Sequence, residues 1–289
     1  MKRTKSFNPE GFERNFIACV AFICGFLFVY LGIQGPLFQG NIVYKTHATV
    51  YNQLLAQDAV NIFVIAPLLF IGGLALYSRK RFGRYLLVLT PLFLLYYAIS
   101  YIIGWEWMAA DYYGNSQLYF FHFLGVLIAG LLIMFYCLGA FPPRQKPRFS
   151  KQFLWFYSVI LTLFLALFAL MWMKEVFQVM NTGTARGYDL SPTAFWLVRC
   201  FDLGFSIPLG FVSLYLLWVK PQNSFAVQML FYGFFLSMSV AVNAMAVVMY
   251  MNNDPSFQLS SSLVFIALML IVSVGYYFIL KGYSKRKIN

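Results

Sequence analysis

Eight apolar runs set the terms on which this chain can fold. They lie near residues 15–34, 58–77, 85–105, 118–139, 152–173, 199–219, 225–250 and 261–280. Each approaches or exceeds the roughly 20 residues that an α-helix needs to cross a hydrocarbon core of about 30 Å. Lipid offers no hydrogen bonds, so a spanning backbone must satisfy its own N–H and C=O groups, and a single apolar run does that as a helix. The pattern predicts an all-α integral membrane protein with eight transmembrane helices. Composition agrees, since 61% of the residues are hydrophobic and 10% are charged. Soluble domains run nearer one quarter charged. Trp105, Trp107, Trp155, Trp172, Trp196 and Trp218 fall at or near run ends, where amphipathic rings favour the headgroup level.

The formal net charge of +12 does not imply a nucleic-acid partner, because the cations sit in short blocks between apolar runs. They read as topology signals. Seventeen of the 21 Lys and Arg residues lie in the N-terminal segment, 79–84, 144–151, Lys220 and the C-terminal tail, all on one side of the eight runs. Retention of positive loops inside the cell then predicts cytoplasmic termini and a multi-pass protein of the cell membrane, of the bacterial cytoplasmic kind. Lys45, Lys174, Arg186 and Arg199 are left toward the outer face, together with seven of the nine acidic residues. The basic N-terminus precedes a run of spanning length with no small-residue cleavage pattern, which makes that run a retained first helix.

A fixed offset of 141 residues superimposes the two halves without a gap. It brings Pro67-Leu68 onto Pro208-Leu209, Phe70 onto Phe211, Leu89 onto Leu230, Phe93 onto Phe234 and Tyr136 onto Tyr277. Identities among Phe and Leu are cheap, but the joint match of four runs, two long outer loops and an intramembrane proline is not. The expected architecture is two parallel four-helix repeats (4+4) related by an axis along the membrane normal. The first repeat occupies 1–141 with its basic N-terminal segment, 142–151 form a basic linker, and the second repeat occupies 152–289 with its basic tail.

The same offset lays Arg199 on Asp58 and Asp202 on Asn61. Charges in membrane helices are costly and rarely idle. At spacing i, i+3, Asp58 and Asn61 share one helix face and Arg199 and Asp202 another. The four form a candidate cluster, either a structural ion pair of Asp58 with Arg199 across the pseudo-twofold axis or an outward-facing ligand site. With Trp218 at the inner end of its run, Asp202 lies about 24 Å away along the helix, in the outer third of the core. Ser191-Pro192 offers an N-cap and first-turn pair for that helix. Pro67, Pro91 and Pro208 predict kinks in the second, third and sixth runs. Tyr97, Ser100 and Tyr101 form a polar stripe that, with His122 and Asn243, is a candidate cavity lining. Gly233, Ser237, Ala241 and Ala244 form a small-residue stripe suited to close helix packing.

Cys19, Cys24, Cys137 and Cys200 make no CxxC pair and read as packing residues. His47 and His122 lack the companion spacing of a metal or haem site, so neither metal nor cofactor is expected. No GxSxG, HExxH, Walker or GxGxxG pattern is present. The leading functional expectation is a small transporter or ligand-binding membrane protein with an outward-facing polar site between the repeats. It would take a small polar or amphiphilic ligand. Two others stand beside it. One is an intramembrane enzyme for a lipid or lipid-linked substrate, drawing on Glu106, Asp111 or Asp189. The other is an accessory or sensory subunit with a membrane-protein partner. The absence of any catalytic constellation favours a non-enzyme.

Overall fold

The computed structural model describes residues 9–141, 147–185 and 187–283. Within them the fold is all-helical, without strands, and eight helices are long and apolar enough to cross a membrane. These are span 1 (Glu10–Gln34), span 2 (Ala48–Tyr77), span 3 (Gly83–Ile103), span 4 (Ser116–Ala140), span 5 (Lys151–Thr182), span 6 (Pro192–Val219), span 7 (Phe225–Met251) and span 8 (Leu259–Tyr283). The expected basic segments 1–8 and 284–289, Arg144 and Lys146 of the linker, and Arg186 lie outside the described residues.

Spans 2, 5 and 6 extend beyond the apolar runs that announced them. Helix is already formed at Tyr51 in span 2 and at Pro192 in span 6, and span 5 continues through Lys174, Glu175 and Gln178 to Thr182. Hydropathy marks where lipid begins, whereas a helix ends only where its backbone bonds are interrupted. Span 5 stops at Gly183, whose φ of 73° is the left-handed conformation that glycine adopts most readily.

The three intramembrane prolines do not act as simple kinks. Pro67 and Pro208 each stand in the first turn of an α-helical segment that follows a π turn, at Asn61–Ile65 and Asp202–Ser206. The N–H of Ala66 reaches back five residues to the Asn61 carbonyl, and that of Ile207 to the Asp202 carbonyl. A proline cannot donate the usual bond, and the wider turn absorbs that loss before α-helix resumes. Pro91 has a stronger effect. Span 3 is α-helical over Gly83–Leu87, breaks, and restarts at Pro91–Ile103.

The break in span 3 is repaired from span 7. Thr90 donates its hydroxyl to the Leu87 carbonyl at 2.8 Å, and Ser237 donates to the Leu89 carbonyl at 2.5 Å. Gly233 makes this approach feasible, because a Cβ there would lie 2.5 Å from the Val88 carbonyl oxygen. The expected small-residue stripe is thus where span 7 meets exposed backbone of span 3. Spans 1, 3, 4 and 7 and both parts of span 2 surround the main core, with Phe28, Phe93, Phe123 and Phe231 almost fully buried. Spans 5 and 8 flank it loosely. In span 3, 56% of the apolar window is buried inside the protein, against 11% in span 8, so span 8 leaves most of its surface to lipid.

At the end carrying the long loops, two carboxylates fasten the halves together. Glu106, after span 3, accepts from the Thr193 backbone N–H and hydroxyl, both at 2.8 Å. Asp254, after span 7, accepts from the Asn52 side chain at 2.7 Å and from the backbone and hydroxyl of Ser256. Burial alone pushes the Asp254 carboxyl upward, but these hydrogen bonds outweigh it and hold the group below its ordinary value. Glu106 also corrects the expected cap of span 6. Ser191 makes no capping bond there and meets Thr46 at 3.2 Å, while Glu106 satisfies the free N–H and places negative charge at the helix N-terminus.

Candidate functional site

A cavity of about 430 Å³ opens among spans 2, 3, 5, 6, 7 and 8, toward the long-loop end. Span 3 contributes Tyr97, Ser100 and Tyr101 to its lining, the polar stripe read from their i, i+3, i+4 spacing. Gln57 enters from span 2, Asp202 from span 6 and Ser239 from span 7. Between these polar groups the wall is chiefly aromatic and aliphatic, with Tyr96, Trp172 and Phe234 from three different spans. The break at Pro91 positions this wall. Restarting the helix there sets Tyr96 against span 7, where it packs on Phe234 and also on Phe201 of span 6.

Asp202 stands where the π turn of span 6 begins, 9% exposed. Its Oδ1 accepts a bond of 3.3 Å from the Ser206 hydroxyl, and the Trp172 indole nitrogen lies beside it. No cation among the described residues comes within salt-bridge distance of it. Arg199, one turn earlier, makes no salt bridge with it. It pairs with Glu175 at the end of span 5, donates to the Phe195 carbonyl at 3.4 Å, and lies over the rings of Phe195 and Trp172 at 3.8 and 4.4 Å.

The corresponding residues of span 2 are closed in. Asp58 is 1% exposed, accepts from the Leu37 backbone N–H at 3.1 Å, and packs so tightly on Gly35 that a Cβ there would collide with the carboxylate. Asn61 is fully buried and accepts from Gln57 at 2.8 Å. The expected pair of Asp58 with Arg199 is therefore replaced. Each of these residues turns to the end of the preceding span in its own half, Asp58 to the turn after span 1 and Arg199 to Glu175 in span 5.

The remaining candidates divide. His122 stacks on Tyr30, with ring centroids 5.1 Å apart, and is not part of the cavity wall. Asn243 donates to the carbonyls of Ser239 and of Phe265 in span 8, and so ties two helices together outside the wall. Sequence reasoning missed Glu175 as the partner of Arg199 and Gln57 as a polar group of span 2 that reaches the cavity. The first was signalled by opposite charge at the same membrane level, but the shared offset drew attention to Asp58 instead. The second lies just before the apolar run and carries no charge. No group of three or more His, Cys, Asp or Glu residues able to hold a metal ion occurs among the described residues.

No family model, curated protein or solved structure matches this chain.

Proposed function

We propose that this polytopic protein is a small transporter or ligand-binding protein of the cell membrane, of the bacterial cytoplasmic kind. Its halves are parallel four-helix repeats with cytoplasmic termini, and they enclose an outward-opening site for an amphiphilic ligand. The repeat is supported by local backbone as well as by side-chain identities. The π turns begin at Asn61 and at Asp202, 141 residues apart, which is the offset that aligns the halves. The fastenings at the long-loop end reciprocate across the same offset. Asn52 and Thr193 are equivalent positions, and each is gripped by a carboxylate from the other half.

The observation that carries the functional reading is the cavity itself. It draws its wall from both halves and presents a few polar groups within a largely apolar surface, the usual build of a small-molecule site. A polar carboxylate kept in such a wall at membrane depth is a functional-site signal by default. The notional polar vestibule becomes an amphiphilic one, since Asp58 and Asn61 are closed in and the space beside Asp202 is aromatic.

Cysteine accessibility tests this. Single cysteines placed at Ser100 and Ser262 of the cavity wall, in a chain with Cys19, Cys24, Cys137 and Cys200 replaced, are treated in intact cells with a membrane-impermeant maleimide. Labelling from outside, reduced by added ligand or by bulky substitution at Met245, is the expected result. Absence of labelling at both positions while a control cysteine at Asn115 reacts would refute an outward-opening site.

A further inference from the structure

The charge on the cavity wall has one sign. Its wall holds one carboxylate, Asp202, and no Lys, Arg or His among the described residues. The nearest cation on the same helix is Arg199, whose guanidinium is neutralised by Glu175. The group of three therefore has one negative charge to spare, and it stands on the cavity side. Asp202 itself is thinly satisfied, with a 3.3 Å hydroxyl bond at one oxygen, the Trp172 indole nitrogen beside it and no cation within salt-bridge distance. A buried carboxylate is expensive without a countercharge.

The rest of the wall favours the same sign. Tyr96, Trp172 and Phe234 surround the space beside Asp202. The faces of aromatic rings carry negative potential and attract cations, most strongly when water is excluded. An organic cation loses less hydration than a metal ion or a compact ammonium, and it has apolar surface to bury against the rings. An anionic headgroup would face both the carboxylate and the ring faces.

Resting on the ligand-site reading above, we propose that the cavity binds an organic cation with an aromatic or aliphatic body, its charge countered by Asp202 and its body held by the aromatic wall.

The test compares probes of one shape and different charge on the full-length protein in nanodiscs. Benzyltrimethylammonium carries the positive charge, neopentylbenzene is its uncharged carbon isostere, and phenylmethanesulfonate supplies the anion. Equilibrium binding is expected to favour the cation over both others by roughly tenfold or more. Asp202→Asn should remove that preference, bringing the affinities for the cation and neopentylbenzene together. The wild-type comparison needs no variant, so it stands even if Asp202→Asn fails to fold. Equal affinity for cation and isostere, or preference for the anion, overturns the charge selection and leaves the ligand site standing. No binding of any probe to a cavity that the maleimide labels overturns the cation proposal alone, while an unlabelled cavity overturns both.

Discussion

Residues 58–70 and 199–211 carry one backbone design into two different surroundings. Both run through a five-residue π turn to a proline in the first turn of the next α-helical segment. In span 2 the polar residues on that turn are sealed against the end of span 1, with Asp58 bonded to the Leu37 N–H and pressed on Gly35. In span 6 the equivalent turn leaves Asp202 on a cavity wall. A wide turn solves a backbone problem created by proline, and it does so equally well in a closed or an open setting. The backbone device is therefore structural in both segments, and what distinguishes 199–211 comes from its neighbours.

That contrast predicts the largest difference between two single substitutions. Asp58→Ala removes the acceptor of the Leu37 N–H and leaves a void against Gly35. It should lower unfolding stability by about 3 kcal/mol, near the upper end for a hydrogen bond to a charged group. Asp202→Ala removes a carboxylate with one long hydroxyl bond beside an open cavity and should cost under about 1 kcal/mol. Thermal unfolding of both variants in one detergent measures the gap. Equal losses would abolish the distinction between a sealed and an open copy.

The fastenings at the long-loop end sharpen the comparison at a smaller scale. Glu106→Ala removes two 2.8 Å bonds that cap the N-terminus of span 6, which predicts a loss of about 2 kcal/mol. Glu106→Gln keeps an acceptor for the Thr193 N–H and should recover about half of it. If instead Glu106→Ala left stability intact and abolished a catalytic activity, the capping role would give way to the enzyme reading.

Much of this architecture was legible in the chain, and the parts that were not share a cause. Apolar runs located all eight spans because exclusion of polar groups from lipid is a strong, local constraint. The offset of 141 laid Asp202 on Asn61, and a π turn begins at each of those two residues. Ser191-Pro192 marked where span 6 begins, but the end of span 5 beyond the lipid was misjudged, since Lys174 and Glu175 break an apolar pattern without breaking a helix. Partners were harder still. Arg199 had Asp58 as its counterpart by offset and Glu175 by contact, and only the packing of span 5 on span 6 distinguishes the two. Similarly, Ser191 has the chemistry of a cap, but Glu106 outcompetes it from a loop more than 80 residues earlier, at a distance that no local signal reports.

The reciprocal fastening in the second half makes a pH-dependent prediction. Asp254 lies outside the spans, and its hydrogen bonds to Asn52 and Ser256 hold its carboxyl below the ordinary carboxylate value of about 3.9. Because the folded value is depressed, the stabilisation is fully present above the unfolded value and is lost as pH falls through the folded one. Asp254→Ala should therefore melt below the wild type by an amount worth about 1 kcal/mol at pH 7. The two melting curves should draw together below roughly pH 4. A difference that persisted undiminished in acid would mean that the loop is held by shape and not by the charged carboxylate.

The smallest expected effect bears most directly on why the two copies differ. The Arg199–Glu175 pair is only part-buried, with side-chain exposures of 13% and 27%, so Glu175→Arg or Arg199→Glu alone should cost about 0.5–1 kcal/mol. Exchanging the two, Glu175→Arg with Arg199→Glu, should restore most of that loss, although the stacking of the guanidinium over Trp172 and Phe195 is forfeited. The exchange of Asp58 with Arg199 makes the opposite prediction. It buries an arginine against Gly35 and breaks two separate contacts, so its cost should at least equal that of Asp58→Ala, about 3 kcal/mol. Double-mutant cycles on the two exchanges decide between them. Coupling between Arg199 and Glu175 with none between Arg199 and Asp58 means that each half completes its own charge pairing. Asp202 is then left as the charge that neither half has answered.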